Sequence, residues 1–319
     1  ETAAELAEEI GQLALFLGAM ANINWPGLLA WSTKYHDGTA PSQFKQMSEE
    51  DRRFLEQAME EAFGHIEDPN QVMAEAGDQL RSETRTEESV TTALEVIDRC
   101  CDDPDCARNA DKLDVLQALL DLLPTYSGSV RNRTFEILAL LFSNNPNIQA
   151  AGMKRGSMNL FLQIAQESKV GSDDRSKSFR ALVALVRNVE EFEKLLLEQE
   201  AARELLLACL SLEELSGTRE KATSFLRSLA ESGSLKPENV APLIGAISKL
   251  FGHLEDTGIQ YKETLSICAL QLATSFKAEC TELQVAVEGR ISQLMASKDP
   301  EAENELESLK DCLAVLKAS

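Results

Sequence analysis

The sequence predicts an all-α protein built from stacked helical repeats, and three observations lead to that fold class. Aromatic side chains make up only 5% of the 319 residues, which is low for a protein rich in β-strands. Apolar residues recur at spacings of three and four, and turn-forming residues divide the chain into pieces of about ten to sixteen residues, the usual helix length. A period of 44 residues then runs through the centre of the chain.

The period is carried by two apolar positions that lie three residues apart on one helix of each unit. The residues at these positions are Leu94, Leu138, Leu182, Leu226 and Leu270, followed by Ile97, Leu141, Leu185, Leu229 and Ala273. A turn glycine is predicted before four of these helices, at Gly128, Gly171, Gly217 and Gly258. A period in the low forties is typical of armadillo or HEAT repeats, which stack into a right-handed superhelix. A non-repetitive helical bundle is the alternative.

The predicted organisation has four parts. They are an N-terminal segment (residues 1–24), an N-terminal helical region (25–85), four to five armadillo-like repeats (86–280) and C-terminal capping helices (281–319). In the second part, the Ser48 side chain is spaced to accept the amide of Asp51, which predicts a helix from there to about Phe63. In the last part, one helical stripe carries Leu306, Leu309, Leu313 and Leu316.

Charge and composition argue against several classes of function. The net charge of −22 would repel phosphate backbones and anionic lipid heads, so we predict neither a nucleic-acid nor a membrane partner. The apolar run Leu13–Met20 is too short to span a bilayer and follows acidic residues. Seven dispersed cysteines indicate reduced thiols and a cytoplasmic protein. The endoplasmic reticulum lumen is the alternative, if a leader preceded Glu1.

Residues with the spacing of a catalytic or metal site were not found in the sequence. The histidines, His36, His65 and His253, are isolated from one another. Cys101 and Cys106 are too far apart for the Cys-x-x-Cys pattern, and the segment from Gly152 to Gly156 lacks the Lys-Ser/Thr ending of a phosphate-binding loop. We therefore predict a binding protein with no catalytic residue, metal, cofactor or small-molecule substrate.

Basic residues repeat with the same period as the apolar ones and form two columns. The first column is Arg131, Arg175 and Arg219, and the second is Arg133, Lys177 and Lys221. In armadillo stacks the last helix of each unit lines the concave groove, so we expect both columns to lie along or beside that groove. Positive charge on an acidic protein then predicts an acidic partner surface. The alternative is that these side chains neutralise the acid-rich turns before each helix.

Several motifs resemble the Fes/HspBP-type nucleotide exchange factors of heat-shock protein 70 chaperones, particularly the plant forms. The N-terminal motifs are Gly27–Ser32, Asp37–Pro41 and Ser48–Phe54, and the later ones are Asp102–Asn109, Ser143–Gln149 and Arg187–Asn188. The resemblance extends from about Trp25 to Lys317. One departure is the link from Pro69 to Glu88, which looks short for this family.

The resemblance implies an armadillo protein whose concave face grips the ATPase domain of the chaperone, so that ADP leaves. It also implies chaperone contacts at Ala107 and Lys221, and further ones at Asn144, Arg187 and Asn188, for which a structural role in the turns is the alternative. The pieces Leu13–Leu17 and Trp25–Trp31 resemble a family segment that mimics the chaperone's client. A general armadillo adaptor that binds an extended peptide in its groove is the alternative function.

Overall fold

The computed structural model describes residues 48–63, 68–255, 257–297 and 300–318, and it divides the chain into two compact units, residues 1–71 and 72–319. The described residues contain no β-strand and form sixteen α-helices. These are α1 (Glu49–Phe63), α2 (Pro69–Arg81), α3 (Glu87–Cys100), α4 (Pro104–Asn109), α5 (Val115–Leu122), α6 (Gly128–Phe142), α7 (Pro146–Lys154), α8 (Ser157–Glu167), α9 (Asp173–Val186), α10 (Glu190–Glu198), α11 (Glu200–Cys209), α12 (Ser216–Glu231), α13 (Pro237–Leu250), α14 (Ile259–Ser275), α15 (Thr281–Ser297) and α16 (Glu303–Lys317).

Helix α1 in the first unit begins as the sequence predicts. The Ser48 hydroxyl accepts the amide of Asp51 at 3.1 Å, and the first turn carries three carboxylates next to the positive end of the helix. This helix start is therefore confirmed. The predicted segment 1–24, the apolar piece Trp25–Trp31 and the turn at Asp37–Pro41 lie outside the described residues.

The second unit is an all-α, armadillo-like right-handed superhelix built on six long helices, α3, α6, α9, α12, α14 and α16. Each of these packs against the next one in the series. The first apolar column is buried from Leu94 to Leu226, with Leu270 partly buried, and the second column is buried from Ile97 to Ala273. The predicted 44-residue register is confirmed, because it is the register in which successive long helices share one core.

Shorter helices complete each unit of the stack. The pairs α4/α5, α7/α8 and α10/α11 precede α6, α9 and α12, which gives three units of three helices. The later units have a single preceding helix, α13 before α14 and α15 before α16. The predicted division of the chain at residues 24, 85 and 280 stays a prediction.

Two buried polar residues, 44 positions apart, join the short helices to the ends of long ones. Gln149 on α7 donates to the carbonyl of Arg187 at 3.0 Å, just beyond the end of α9. Glu193 on α10 accepts the amide of Asn188 at 3.1 Å and the hydroxyl of Ser232, after α12, at 2.6 Å. Because helix ends leave backbone groups without intrahelical partners, these side chains stabilise the ends and fix the turns.

The two asparagines among the implied chaperone contacts have a backbone role in the turns. Asn144 and Asn188 have φ angles of 53° and 66°, and Gly233 has 72° in the corresponding turn of the next unit. Each follows a long helix and adopts the left-handed conformation that asparagine and glycine tolerate best. The structure thus supplies the structural role that the sequence left open for Asn144 and Asn188.

We expect Asn144→Ala to lower the free energy of unfolding by about 1 kcal/mol, because alanine is strained at a positive φ. Asn144→Gly should be neutral or slightly stabilising, since glycine has no such strain. Urea titration of both variants measures this difference. If Asn144→Gly instead impaired partner binding without affecting stability, the side chain would have a direct binding role.

The segment Pro69–Glu88, which looks short compared with the resembled family, contains the 13-residue helix α2. Its buried residues, Met73, Ala76, Gly77 and Leu80, follow helical spacing, and a Cβ on Gly77 would lie 2.9 Å from a Val115 methyl, so glycine permits close packing there. Gly217 lies inside the first turn of α12 rather than in the preceding turn, because the helix begins at Ser216.

Candidate functional site: a groove across three long helices

A shallow groove of about 360 Å³ crosses the exposed faces of α6, α9 and α12, and it is the surface where the second basic column lies. Its lining residues are Arg133, Phe135, Glu136, Ala139, Leu140, Ser143, Lys177, Arg180, Ala184 and Lys221. The groove positions of one helix recur 44 residues later on the next, as Arg133, Lys177 and Lys221 illustrate. The three helices thus contribute one continuous surface.

The part of the groove nearest α3 is electrostatically satisfied. Arg133 pairs with Asp98 of α3 at 2.7 Å and with Glu136 at 3.2 Å, and Lys177 of α9 also pairs with Glu136. Burial alone would raise the pKa of Glu136, but the hydrogen bonds from Lys177 and Arg133 lower it below its usual value. These four side chains already have partners and offer little net charge to a ligand.

The part of the groove between α9 and α12 carries positive charge without partners. Arg180 and Lys221 line it, and Arg187 lies beside Lys221; we call these three residues the cation cluster. Among the described residues, no carboxylate forms an ion pair with any of the three. The pKa of Lys221 is lowered first by its burial and then by repulsion from Arg187 and Arg180.

Such a cluster costs stability in the free protein. Burial of Lys221 and its two guanidinium neighbours both disfavour the charged form of this side chain. The chain has 53 acidic residues against 31 basic ones, so carboxylates to neutralise the cluster are abundant, yet none of the described ones forms an ion pair with it. Electrostatic destabilisation of this kind is typical of binding sites, where a ligand supplies the missing negative charge.

We expect Lys221→Met to raise the free energy of unfolding by about 0.5 kcal/mol or more, because it removes the repelled charge and keeps the aliphatic stem. The stabilisation should be fully present below the lowered pKa of Lys221 and should shrink as pH rises through that pKa, where the lysine of the parent protein also becomes neutral. Thermal unfolding at several pH values measures it. Unchanged or reduced stability at pH 7 would show that Lys221 is compensated in the free protein.

An exposed apolar surface adjoins the cation cluster. Leu140 on α6 is 43% exposed within the groove, and Ala139 and Ala184 lie beside it. An isolated exposed leucine is ordinary on a protein surface, but here it lines the same groove as unpaired cations. Neither Leu140 nor Arg180 belongs to the basic columns. Arg180 escaped the sequence analysis because its column holds Glu136 and Ser224 in the neighbouring units.

The first basic column has a different environment. Arg131 donates to the carbonyl of Tyr126 at 2.7 Å and pairs with Asp174 at 3.3 Å, and Arg219 donates to the carbonyl of Leu212 at 3.1 Å. Arg175 is buried, and its Nε lies 2.5 Å from Glu214 Oε1. Arg131 and Arg219 fix the turns before their own helices, whereas Arg175 pairs with a carboxylate in the loop before α12, so all three side chains already have partners. We therefore omit this column from the proposed site.

The remaining predicted residues divide between the groove and other places. Lys177 and Arg133 line the groove in paired form, whereas Lys221 and Arg187 come together in the cation cluster. Ala107 lies on the short helix α4, half-buried against the core, and does not line the groove. Its role as a chaperone contact stays a prediction.

Other chemistry finds little support in the part of the chain that the structure describes. There, no three His, Cys, Asp or Glu side chains are grouped so that they could hold a metal ion. All seven cysteines are buried, and burial raises the pKa of Cys209 to about 12, which disfavours a reactive thiolate. None of the described helices is long and apolar enough to cross a membrane.

Comparisons with known proteins identify the fold. No family model matches the chain, and no curated protein matches it. Among solved structures, a designed armadillo repeat protein in complex with the peptide (KR)4 has a TM-score of 0.62 at 16% identity, covering 77% of this chain and 99% of its own. This chain has an armadillo-like fold.

Two further structures agree with this fold. Computationally designed armadillo repeat proteins for modular peptide recognition give a TM-score of 0.62 at 17% identity, covering 77% of this chain and all (100%) of theirs. An engineered protein from a structural genomics consortium gives 0.61 at 15% identity, covering 95% of this chain and 71% of its own. The armadillo fold is typically a non-enzymatic binding scaffold built from repeats, and no catalytic family is indicated.

Proposed function

We propose that this protein binds the ATPase domain of a heat-shock protein 70 chaperone through the groove and promotes the release of ADP in the cytoplasm. The observation that carries the proposal is the cation cluster, in which Arg180, Arg187 and Lys221 form no ion pair with any described carboxylate on a protein of net charge −22. A surface of this kind fits an acidic patch on a partner, because complementary charge speeds encounter and fixes register.

The sequence motifs and the structure support the proposal from different directions. The resemblance to Fes/HspBP-type exchange factors implied contacts at Lys221, on α12, and at Arg187, just beyond the end of α9, which lie 34 residues apart in the sequence. In the fold these two side chains are close enough to repel each other, and this repulsion adds to burial in lowering the pKa of Lys221. If Lys221 and Arg187 had only structural roles, their side chains would not need to lie close together.

Promotion of ADP release is a coupling between two binding events. A factor that binds the open form of the ATPase domain more tightly than the ADP-bound form must weaken ADP binding by the same ratio. A hundredfold effect requires about 2.7 kcal/mol of differential affinity. Three cations that gain carboxylate partners on only one form of the domain would supply this difference.

The test is the release of fluorescently labelled ADP from a purified cytosolic heat-shock protein 70, chased with excess ATP. We expect a substoichiometric amount of this protein to increase the release rate at least tenfold, and the effect to weaken as salt rises from 50 to 300 mM, because exposed charges are screened. Bovine albumin at the same concentration is the control. An unchanged release rate at saturating protein would exclude the exchange activity.

A peptide-binding adaptor is the second candidate function. A designed armadillo repeat protein of this fold is known in complex with the peptide (KR)4. Here the cation cluster would select an acidic peptide rather than a basic one. The two candidates differ in one measurement, since an adaptor binds its peptide but leaves ADP release unchanged.

A further inference from the structure

We infer that the groove recognises a short extended segment in which an apolar residue is followed, three positions later, by two carboxylates. This inference deepens the proposed function by assigning the chemistry of the recognised segment, and it rests on the groove being the partner-binding surface. Leu140 receives the apolar side chain, and the cation cluster receives the two carboxylates. The other charged side chains of the groove, Arg133, Glu136 and Lys177, already form ion pairs, so that part of the groove disfavours further charge on the bound segment.

The apolar end is fixed by Leu140 and its neighbours. Leu140 exposes 43% of its surface, and Ala139 and Ala184 flank it with small side chains that leave space above the helices. A partner side chain that covers this surface removes apolar area from water on both sides. No described groove residue offers a comparable exposed apolar surface, because Phe135 is buried.

The acidic end follows from the charge of the cluster. The cluster carries three positive charges, so one carboxylate would leave two of them unneutralised, and at least two carboxylates are needed to neutralise more than half of the charge. Two of the three cations are arginines, whose planar guanidinium groups bind carboxylates bidentately. Glu136 does not fulfil this role, because Arg133 and Lys177 already occupy it.

The spacing follows from helix geometry. Leu140 on α6 and Ala184 on α9 occupy equivalent positions, because they are 44 residues apart in the sequence. Ala184 lies four residues, about 6 Å, beyond Arg180 along α9. Packed helix axes are about 8–10 Å apart, so Leu140 and Arg180 lie on positions roughly 10 Å apart. An extended chain rises about 3.3 Å per residue, which places the first carboxylate three positions after the apolar anchor.

A fluorescently labelled peptide, Gly-Leu-Ser-Gly-Glu-Glu-Gly, tests the inference by fluorescence polarisation against the full chain. We expect saturable binding that weakens about fivefold when the peptide leucine is replaced by serine and at least tenfold in the variant Lys221→Gln. Leu140→Ser should reduce affinity for the leucine peptide about fivefold and leave the serine peptide unaffected. A Lys-Arg repeat peptide should not bind.

Leu195→Ser is the matched control, because Leu195 is 40% exposed on α10 and does not line the groove. Equal affinity of the leucine and serine peptides, an equal loss in the Leu140 and Leu195 variants, or no binding at about 1 mM peptide would overturn the inference. ADP release is measured in parallel. If release is accelerated but the peptide pattern fails, only this inference fails; if the pattern holds without accelerated release, only the exchange activity fails.

Discussion

Lys221→Glu is expected to abolish acceleration of ADP release while leaving the fold intact. The change places a carboxylate where the proposed partner presents its own, and placing like charges together or removing a paired charge at an interface costs about 2 kcal/mol or more. This corresponds to at least about a thirtyfold loss of affinity. In the free protein the new carboxylate faces Arg180 and Arg187, so the unfolding midpoint should not fall.

The measurement is the concentration dependence of labelled-ADP release for the parent protein and the variant, with circular dichroism to verify the fold. Lys169→Glu is the matched control, because it reverses a charge in the exposed loop before α9 and outside the groove. If Lys221→Glu and Lys169→Glu behaved alike, binding would depend on overall charge and the cation cluster would have no special role.

The largest effect on stability is expected for Glu214→Ala. Glu214 is buried, its carboxylate lies 2.5 Å from Arg175 Nε, and it accepts the amide of Gly171 at 3.0 Å. Removing it leaves a buried guanidinium without its partner, which typically costs about 3–5 kcal/mol. Since the contact joins the loops before α9 and α12, its loss should loosen the boundary between two units.

Urea unfolding measures this loss, and Glu213→Ala, which removes the adjacent exposed carboxylate, serves as the control. The double variant Arg175→Met with Glu214→Leu should recover most of the stability, because an apolar pair of similar volume can replace a buried ion pair. A Glu214→Ala protein as stable as the Glu213→Ala control would contradict the importance of this pair. The same result would reopen a binding role for Arg175.

Much of the fold was accessible from the sequence because its core repeats. The columns that begin at Leu94 and Ile97 have the same period in sequence as in space, so they predicted the helical stack without any long-range contact. Gly217 was misplaced because α12 begins at Ser216, one residue before the glycine.

The candidate site was less accessible because periodicity identifies positions but not partners. The columns of Arg131 and Arg133 look equivalent in sequence, yet one fixes loops and the other lines the groove. Which cations remain unpaired depends on Asp98 and Glu136, whose positions relative to Arg133 and Lys177 only the fold provides. Arg180 was missed because its charge does not repeat.

The most direct test of the account is a comparison of the affinity of this protein for the ATPase domain of heat-shock protein 70 in its nucleotide-free and ADP-bound forms, by isothermal titration calorimetry. The account predicts at least tenfold tighter binding to the nucleotide-free domain, with the same ratio appearing as weakened ADP affinity in the complex. Equal affinity for both forms would contradict it.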